Sequence, residues 1–417
     1  MKVLGISDGC DLYTGFGTQS LIVLKGFLER GIEVEQLGWF KHETIIHRGI
    51  KIHPVVEYGD LDKVIHHCNR FKPDIIWSLG DLHMVQYLLG APEEIRKRWI
   101  HWLPVDAEPF PYMMKPALES VPNLVLMSEF AHEMCKPHLS NLVAYIPHGL
   151  DPNVFKPIQN RDLARKKYQV ADKFMVLLVA KNQWRKNLDL AVEAFARFAK
   201  GKKDVLLVLH TQPSAVPKLR GWFISNLIKM NADDYDSDLR SKIKISFKQM
   251  PESQLNLEYN LSNLFFLTSA GEGFGIPSIE AQMAGIPILV PDFTTGKEFV
   301  LPDGKEENRT GDLIRIATYQ IQGDAGVKRA LIDTKDAATK LETFYRSWKM
   351  DKTLLLRYGE NGRRNSIKKY HYQNVIDLWH KAIVDLYSRI KNEPYKLQTY
   401  TETASFDVSK PIQLEEI

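Results

Sequence analysis

Short apolar runs alternate along the chain with stretches whose apolar residues recur every three or four positions. Residues 3–7, 32–37, 74–78, 99–103, 123–127 and 142–146 have the length and composition of buried strands. Residues 18–30, between the first two runs, predict a helix that stops at Gly31. Strand–helix alternation of this kind predicts a parallel sheet with helices on both faces.

The pattern restarts after Pro147 and Pro157. Residues 174–180, 205–210, 244–247, 264–268 and 287–290 read as strands of a second parallel sheet. Leu188, Ala191, Phe195 and Phe198 mark the buried face of a helix inside it. The last third reads as helical up to about Lys391, and residues 396–417 as a polar, aperiodic, mobile tail. The expected fold class is therefore α/β, with two doubly wound Rossmann-like units joined near residues 147–160. Such sheets bind ligands at the C-terminal ends of their strands, so two of them facing each other place a ligand in the cleft between.

Composition narrows the function classes. The 417 residues carry 55 Lys+Arg against 51 Asp+Glu, a net charge of +4, too small to argue for a nucleic-acid or membrane partner. Cys10, Cys68 and Cys135 are too scattered for a disulfide framework or zinc cluster, which suits a reducing, cytoplasmic setting. No run approaches the ~18 apolar residues of a membrane span, and the N-terminus reads as a strand, not a signal peptide.

The chemistry concentrates in one segment, Gly271-Glu272-Gly273-Phe274-Gly275-Ile276-Pro277-Ser278-Ile279-Glu280, followed by Ala284-Gly285-Ile286-Pro287. It follows a strand and opens a helix. Glycines let backbone approach a ligand closely, and a helix N-terminus offers unpaired N–H groups to an anion. This segment resembles the Glu-seven-residues-Glu signature of the retaining glycosyltransferases of family four, which have the GT-B architecture. The resemblance implies that Glu272 holds the transferred sugar. It places the donor diphosphate on Gly273, Phe274, Gly275 and Ile276, and the ribose on Glu280.

A second segment, Lys181-Asn182-Gln183-Trp184-Arg185-Lys186-Asn187, puts three cations at a strand end, where they oppose a helix dipole and call for an anion. It is similar to the family's phosphate-binding Arg and Lys. Lys186 is the constant member, and either Lys181 or Arg185 supplies the second charge. Thr14-Gly15-Phe16-Gly17-Thr18-Gln19 lacks the third glycine of a dinucleotide fingerprint, since position 20 is Ser20. In resembling enzymes such a loop closes over the donor phosphates or the acceptor, which assigns Gly17 to the diphosphate. Asp106, at a strand end, is the candidate for acceptor positioning or proton acceptance. His148 reads as structural, Trp184 as cleft wall, and the nucleotide base is expected near Gln249 and Met250. Asp234-Tyr235-Asp236 and Asp236-Ser237-Asp238 match a short Asp-x-Asp metal signature but lie in a polar stretch without further carboxylates, so they read as solvated loop.

The resemblance implies a domain plan: an acceptor-side domain over 1–155, a nucleotide-sugar domain over 156–371, and a helix over 372–395 that crosses back to the first domain. Val375, Leu378, Trp379 and Ile383 form the stripe suited to that crossing. It implies metal-independent transfer of a hexose, glucose or mannose type, from a UDP or GDP sugar, with retention and without a cofactor. The alternative is a catalytically idle sugar-nucleotide-binding protein on the same fold. The acceptor stays open between glycan, lipid, protein and modified nucleic-acid base, as do peripheral membrane contact and oligomeric state.

Overall fold

The computed structural model describes residues 1–214, 220–247, 250–323 and 325–392. Gln249 and the expected tail over 396–417 lie outside them.

The first sheet contains β1 (Lys2–Asp8), β2 (Glu33–Trp39), β3 (Ile45–His47), β4 (Ile50–Val55), β5 (Ile75–Leu79), β6 (Trp99–Leu103), β7 (Leu124–Leu126) and β8 (Leu142–Tyr145). Its order is β3-β4-β2-β1-β5-β6-β7-β8, parallel except for the β3–β4 pair. The second contains β9 (Phe174–Val179), β10 (Val205–His210), β11 (Ile243–Ser246), β12 (Leu264–Phe266), β13 (Ile288–Pro291) and β14 (Gly311–Ile314), in the parallel order β11-β10-β9-β12-β13-β14. Strand order reverses at β1 in the first sheet and at β9 in the second. These are the switch points where α/β sheets take ligands.

Three readings of the sequence need correction. The first helix runs over Gly15–Leu28, three residues earlier than expected, because Thr14 caps it by accepting the Gly17 amide at 3.0 Å. The last third is not wholly helical. It contributes β14 and an antiparallel pair, β15 (Ile316–Gln322) and β16 (Val327–Ile332). In the terminal stripe Val375, Trp379 and Ile383 are buried, but Leu378 is 43% exposed, and Ile376 is buried in its place. Beside Ile376 lies Gly26, where a Cβ would come within 2.5 Å of its side chain.

The helix Tyr372–Ile390 does pack on the first domain. Trp379 meets Trp77 and Trp102 edge-on, with centroids 5.7 and 5.1 Å apart. The chain therefore passes between the domains twice, and the two crossings are tied together by Leu150 N–H to Tyr370 O (2.9 Å) and Tyr372 N–H to Leu150 O (3.0 Å). Gln19 clamps the first crossing, bonding both the N–H and the C=O of Gly149 at 3.0 and 2.9 Å.

A second tie joins the domains at Glu298, on the helix Gly296–Val300. Its carboxylate accepts the Phe130 amide at the N-terminus of the helix Glu129–Cys135 (3.3 Å), and also the Tyr145 and Tyr370 hydroxyls, each at 3.4 Å. Burial, with Glu129 nearby, pushes its carboxyl up to about 7 against the pull of Lys369. The folded chain therefore keeps a proton that the unfolded chain releases near its ordinary value of 4.5. Stability from this group falls as pH rises between those values. In Glu298→Gln the melting temperature is expected to fall less between pH 5 and 8 than in the native chain, as differential scanning fluorimetry would record.

Candidate active site

The loops after β6, β9 and β12 meet in the cleft. Leu264–Phe266 leads through Thr268 into the glycine-rich turn and the helix Ile276–Met283. Gly271 and Gly275 have φ of 152° and 102°. The turn packs directly on the first domain: a Cβ on Gly271 would fall 1.9 Å from the Asp106 carbonyl oxygen, and one on Gly273 2.6 Å from Pro104. Small residues here are a requirement of that close approach.

Phe274 anchors the turn. Its side chain is buried against His148 (centroids 4.9 Å), which in turn meets Trp102 at 4.5 Å. The Phe274 contribution to a ligand is thus confined to its backbone. His148 sits fully in this aromatic stack, where burial pushes its imidazole down to about 3 and keeps it neutral. It is structural. Among the described residues none of the amides of Gly273, Phe274, Gly275 and Ile276 is engaged by a backbone or side-chain acceptor. They lie at the N-terminus of an eight-residue helix, the arrangement that receives anions.

Lys186, Arg185 and Glu272 are brought together as the cleft's charged centre. The Lys186 ammonium pairs directly with Glu272. Arg185 lies between carboxylates, with Nη1 3.7 Å from Glu272 and 3.6 Å from Asp106, and donates to the Gly271 carbonyl at 3.1 Å. Burial opposes each of these charges, and their neighbours decide the outcome. Lys186 is pushed down to about 8 by burial and by Arg185, against the pull of Glu272. Glu272 resists burial because Lys186 and Arg185 hold its carboxyl below the usual range. Arg185 resists it too, its pKa raised by Glu272, Asp106 and Asp81.

Of the two candidates for the second cation, Arg185 joins this centre. Lys181 stands apart, exposed, facing Asp8. Asp8 is pushed up by burial, against its bond from Thr14 (2.6 Å) and the charge of Lys181. The Gly17 amide, expected at the diphosphate, is taken by Thr14, and a Cβ at Gly17 would press within 2.5 Å of the Leu12 carbonyl. Gly17 thus shapes the turn that brings Gly15 opposite Ile276, whose Cδ1 lies 3.5 Å from a Gly15 Cβ position.

Glu280 is buried on the same helix and accepts the Tyr259 hydroxyl at 2.6 Å. Burial pushes its carboxyl up to about 7, outweighing that hydrogen bond. Met250 lies half-buried just before the helix Glu252–Leu261. Asp236, from the Asp-x-Asp stretch, is spent on a buried ion pair with Lys242 at 2.6 Å.

Three contributors escape a reading of the sequence. Arg329 on β16 grips Asp106, with Nη1 2.8 Å from its carboxylate and 2.7 Å from its carbonyl. Asp106 is therefore held between two arginines. Thr294, in left-handed backbone at φ 48°, accepts the Glu272 amide at 3.0 Å. A β-branched residue in that region is strained, as happens where geometry is fixed for function. Asn187 carries its side chain to the carbonyls of Thr268 (3.1 Å) and Ala330 (3.2 Å), joining the β9, β12 and β16 segments. No local periodicity marks any of the three.

Residues 160–315 match the family model described as glycosyl transferases group 1. That span contains Lys181, Arg185, Lys186, Glu272 and Glu280. No curated protein matches the chain. Among solved structures, sucrose-phosphate synthase from Thermosynechococcus elongatus superposes with a TM-score of 0.72 at 16% identity, covering 93% of this chain and 100% of that one. A glycosyltransferase from Rickettsia africae gives 0.69 at 14%, covering 94% and 99%. The Anabaena protein HepE, in complex with UDP-glucose, gives 0.67 at 14%, covering 92% and 100%. Among the described residues no helix is long and apolar enough to cross a membrane. The chain thus has the GT-B fold, and its residues 160–315 are similar to the group 1 glycosyl transferases.

Proposed function

We propose that the protein transfers a hexose from a nucleoside-diphosphate sugar to an acceptor, with retention at the anomeric carbon. The observation that carries this reading is the Lys186–Glu272–Arg185 centre beside the unengaged amides that open the helix Ile276–Met283. The amides and Lys186 receive the diphosphate, and Lys186 with Arg185 offsets the charge that grows on it as the glycosidic bond breaks. Glu272, kept ionised by the same two cations, accepts hydroxyls of the transferred sugar. Glu280 accepts ribose hydroxyls from the far side of the turn.

Transfer needs no metal in this scheme, because side-chain cations and helix amides meet the phosphate charge. The HepE complex makes UDP-glucose the first donor to assay. The test is release of nucleoside diphosphate on adding acceptor, with and without EDTA, followed by NMR assignment of the product anomer. Tight donor binding without turnover would reject the reading, and an inverted product would reject retention.

Glu280→Gln is expected to weaken donor binding by about 10- to 100-fold, the worth of a hydrogen bond to a charged group, while leaving kcat within a few-fold. Donor affinity of the native chain should rise from pH 6 to 7 as Glu280 ionises through about 7, below the range in which Lys186 loses its proton. Calorimetric titration with the nucleoside diphosphate at both pH values checks both statements.

A further inference from the structure

The structure contains a second cavity, of about 580 Å³, outside the charged centre. This volume lies within the ~300–1,000 Å³ typical of small-molecule sites. It opens between the segment after β6, the helix Glu129–Cys135 and the strand β16.

An interdomain bridge separates the cavity from the reacting centre. Lys328 donates its amide to the Glu108 carbonyl at 2.6 Å, joining β16 to the first domain. Successive side chains on a strand point to opposite faces. Arg329 turns inward to Asp106, whereas Lys328 lines the cavity. One short stretch of strand thus serves both places.

The lining has a definite chemistry. One wall is a cluster of rings: Phe110 lies 5.1 Å from Tyr112 and 4.6 Å from His138, centroid to centroid, and Tyr112 lies 5.2 Å from His138. Tyr112 is 58% exposed, so its ring is available to a ligand. Pro109, Phe130 and Met134 add apolar lining, and Glu108, Glu133 and Lys328 stand at the rim, with the Lys328 ammonium 5.5 Å over the Tyr319 ring and the Glu133 carboxylate 3.2 Å from His132. Rings present a flat apolar surface to the C–H face of a sugar, and carboxylates and an ammonium bond its hydroxyls. An alkyl chain would cover the apolar lining but leave the polar groups of the rim without a partner, which the hydroxyls of a sugar supply. Two carboxylates against one ammonium disfavour an anionic ligand.

We propose that this cavity is a binding subsite for a neutral oligosaccharide, the distal part of an acceptor chain whose end reaches the cleft. The word acceptor rests on the glycosyltransferase reading; the binding of sugar does not. Because Lys328 comes from the second domain and the rings from the first, an occupied cavity also ties the two domains together.

Saturation-transfer NMR on the full chain tests this with maltotriose, cellotriose and octyl glucoside, run with and without UDP. Saturation of sugar-ring protons by at least one trisaccharide is expected, with affinity falling about tenfold or more in Tyr112→Ala and in Glu133→Ala. UDP affinity should stay within twofold in both variants, which also reports that they are folded. Absence of trisaccharide binding at millimolar concentration, binding unchanged in both variants, or saturation confined to the octyl chain would each overturn the subsite. Loss of UDP binding in the native chain would instead count against the donor site, so the two readings fail separately.

Discussion

Replacing Lys186 with methionine is expected to lower kcat by about 100- to 1,000-fold, the cost of removing one preorganised group from a developing negative charge. Methionine keeps much of the apolar stem and removes only the ammonium. That ammonium is held in an unfavourable place: burial and Arg185 bring it down to about 8, and Glu272 is its partner. A donor diphosphate would add negative charge beside that of Glu272. The free enzyme should therefore lose donor kcat/KM as pH rises through about 8, where Lys186 releases its proton.

A structural explanation of the loss must be separated from a catalytic one. Breaking a buried pair by removing one partner costs about 3–5 kcal/mol, although Arg185, 3.7 Å from Glu272, compensates part of it. The double variant Lys186→Met/Glu272→Gln removes both charges and should recover much of the stability in a thermal melt. It should recover no turnover. If it did, Lys186 would be there only to neutralise Glu272. Lys186→Arg should also stay impaired, because a planar guanidinium does not fit the place of a compact ammonium.

The charged centre was legible because its parts are local in sequence. Lys186 and Arg185 sit on one turn after a strand, and Glu272, the glycines and Glu280 on another. The strand runs that place both turns are nearly continuous apolar segments, since parallel strands are buried on both faces. The β15–β16 pair gave no such signal: β15 is exposed at most of its positions, so its residues need no alternating pattern. Without that pair, Arg329 had no assigned place. Its partner Asp106 is 223 positions away. Asp106 lies just past the end of β6, and its two arginine partners come from the opposite domain, of which periodicity within one domain says nothing. In the β3–β4 pair only Ile50-Lys51-Ile52 of β4 alternates; His53 and Val55 on the other face are buried as well, so no strand-length alternation marks it.

Cross-domain contacts also explain why the family match is confined to residues 160–315 while the fold resemblance covers 93% of the chain. The matched span holds the charged groups of both turns, which lie close together in sequence. The first domain meets the second in part through backbone: the Asp106 carbonyl, the Glu108 carbonyl and the Phe130 amide all bond to it. Backbone contacts leave little trace in residue identity.

Gly271→Ala should show how far transfer depends on that close approach. A Cβ there would stand 1.9 Å from the Asp106 carbonyl oxygen, well inside contact distance, and the φ of 152° adds strain for any L side chain. The neighbour is backbone, tied to Arg329 through both its carbonyl and its carboxylate, so it cannot swing aside. The turn and the loop after β6 must part by about 1 Å or more, and a displacement of that size costs on the order of 100-fold when it misplaces reacting groups. Gly285→Ala supplies the control. Gly285 has φ of 79°, but its Cβ would meet only Pro157 at 3.4 Å, away from the cleft. It should lose about 1–3 kcal/mol of stability to backbone strain with kcat nearly intact. Gly271→Ala should instead lose about 100-fold or more in kcat, and its melting temperature should fall below that of the control, because the backbone clash adds to the strain. Equal kcat in the two variants would show that the contact between the glycine turn and Asp106 is not needed for transfer.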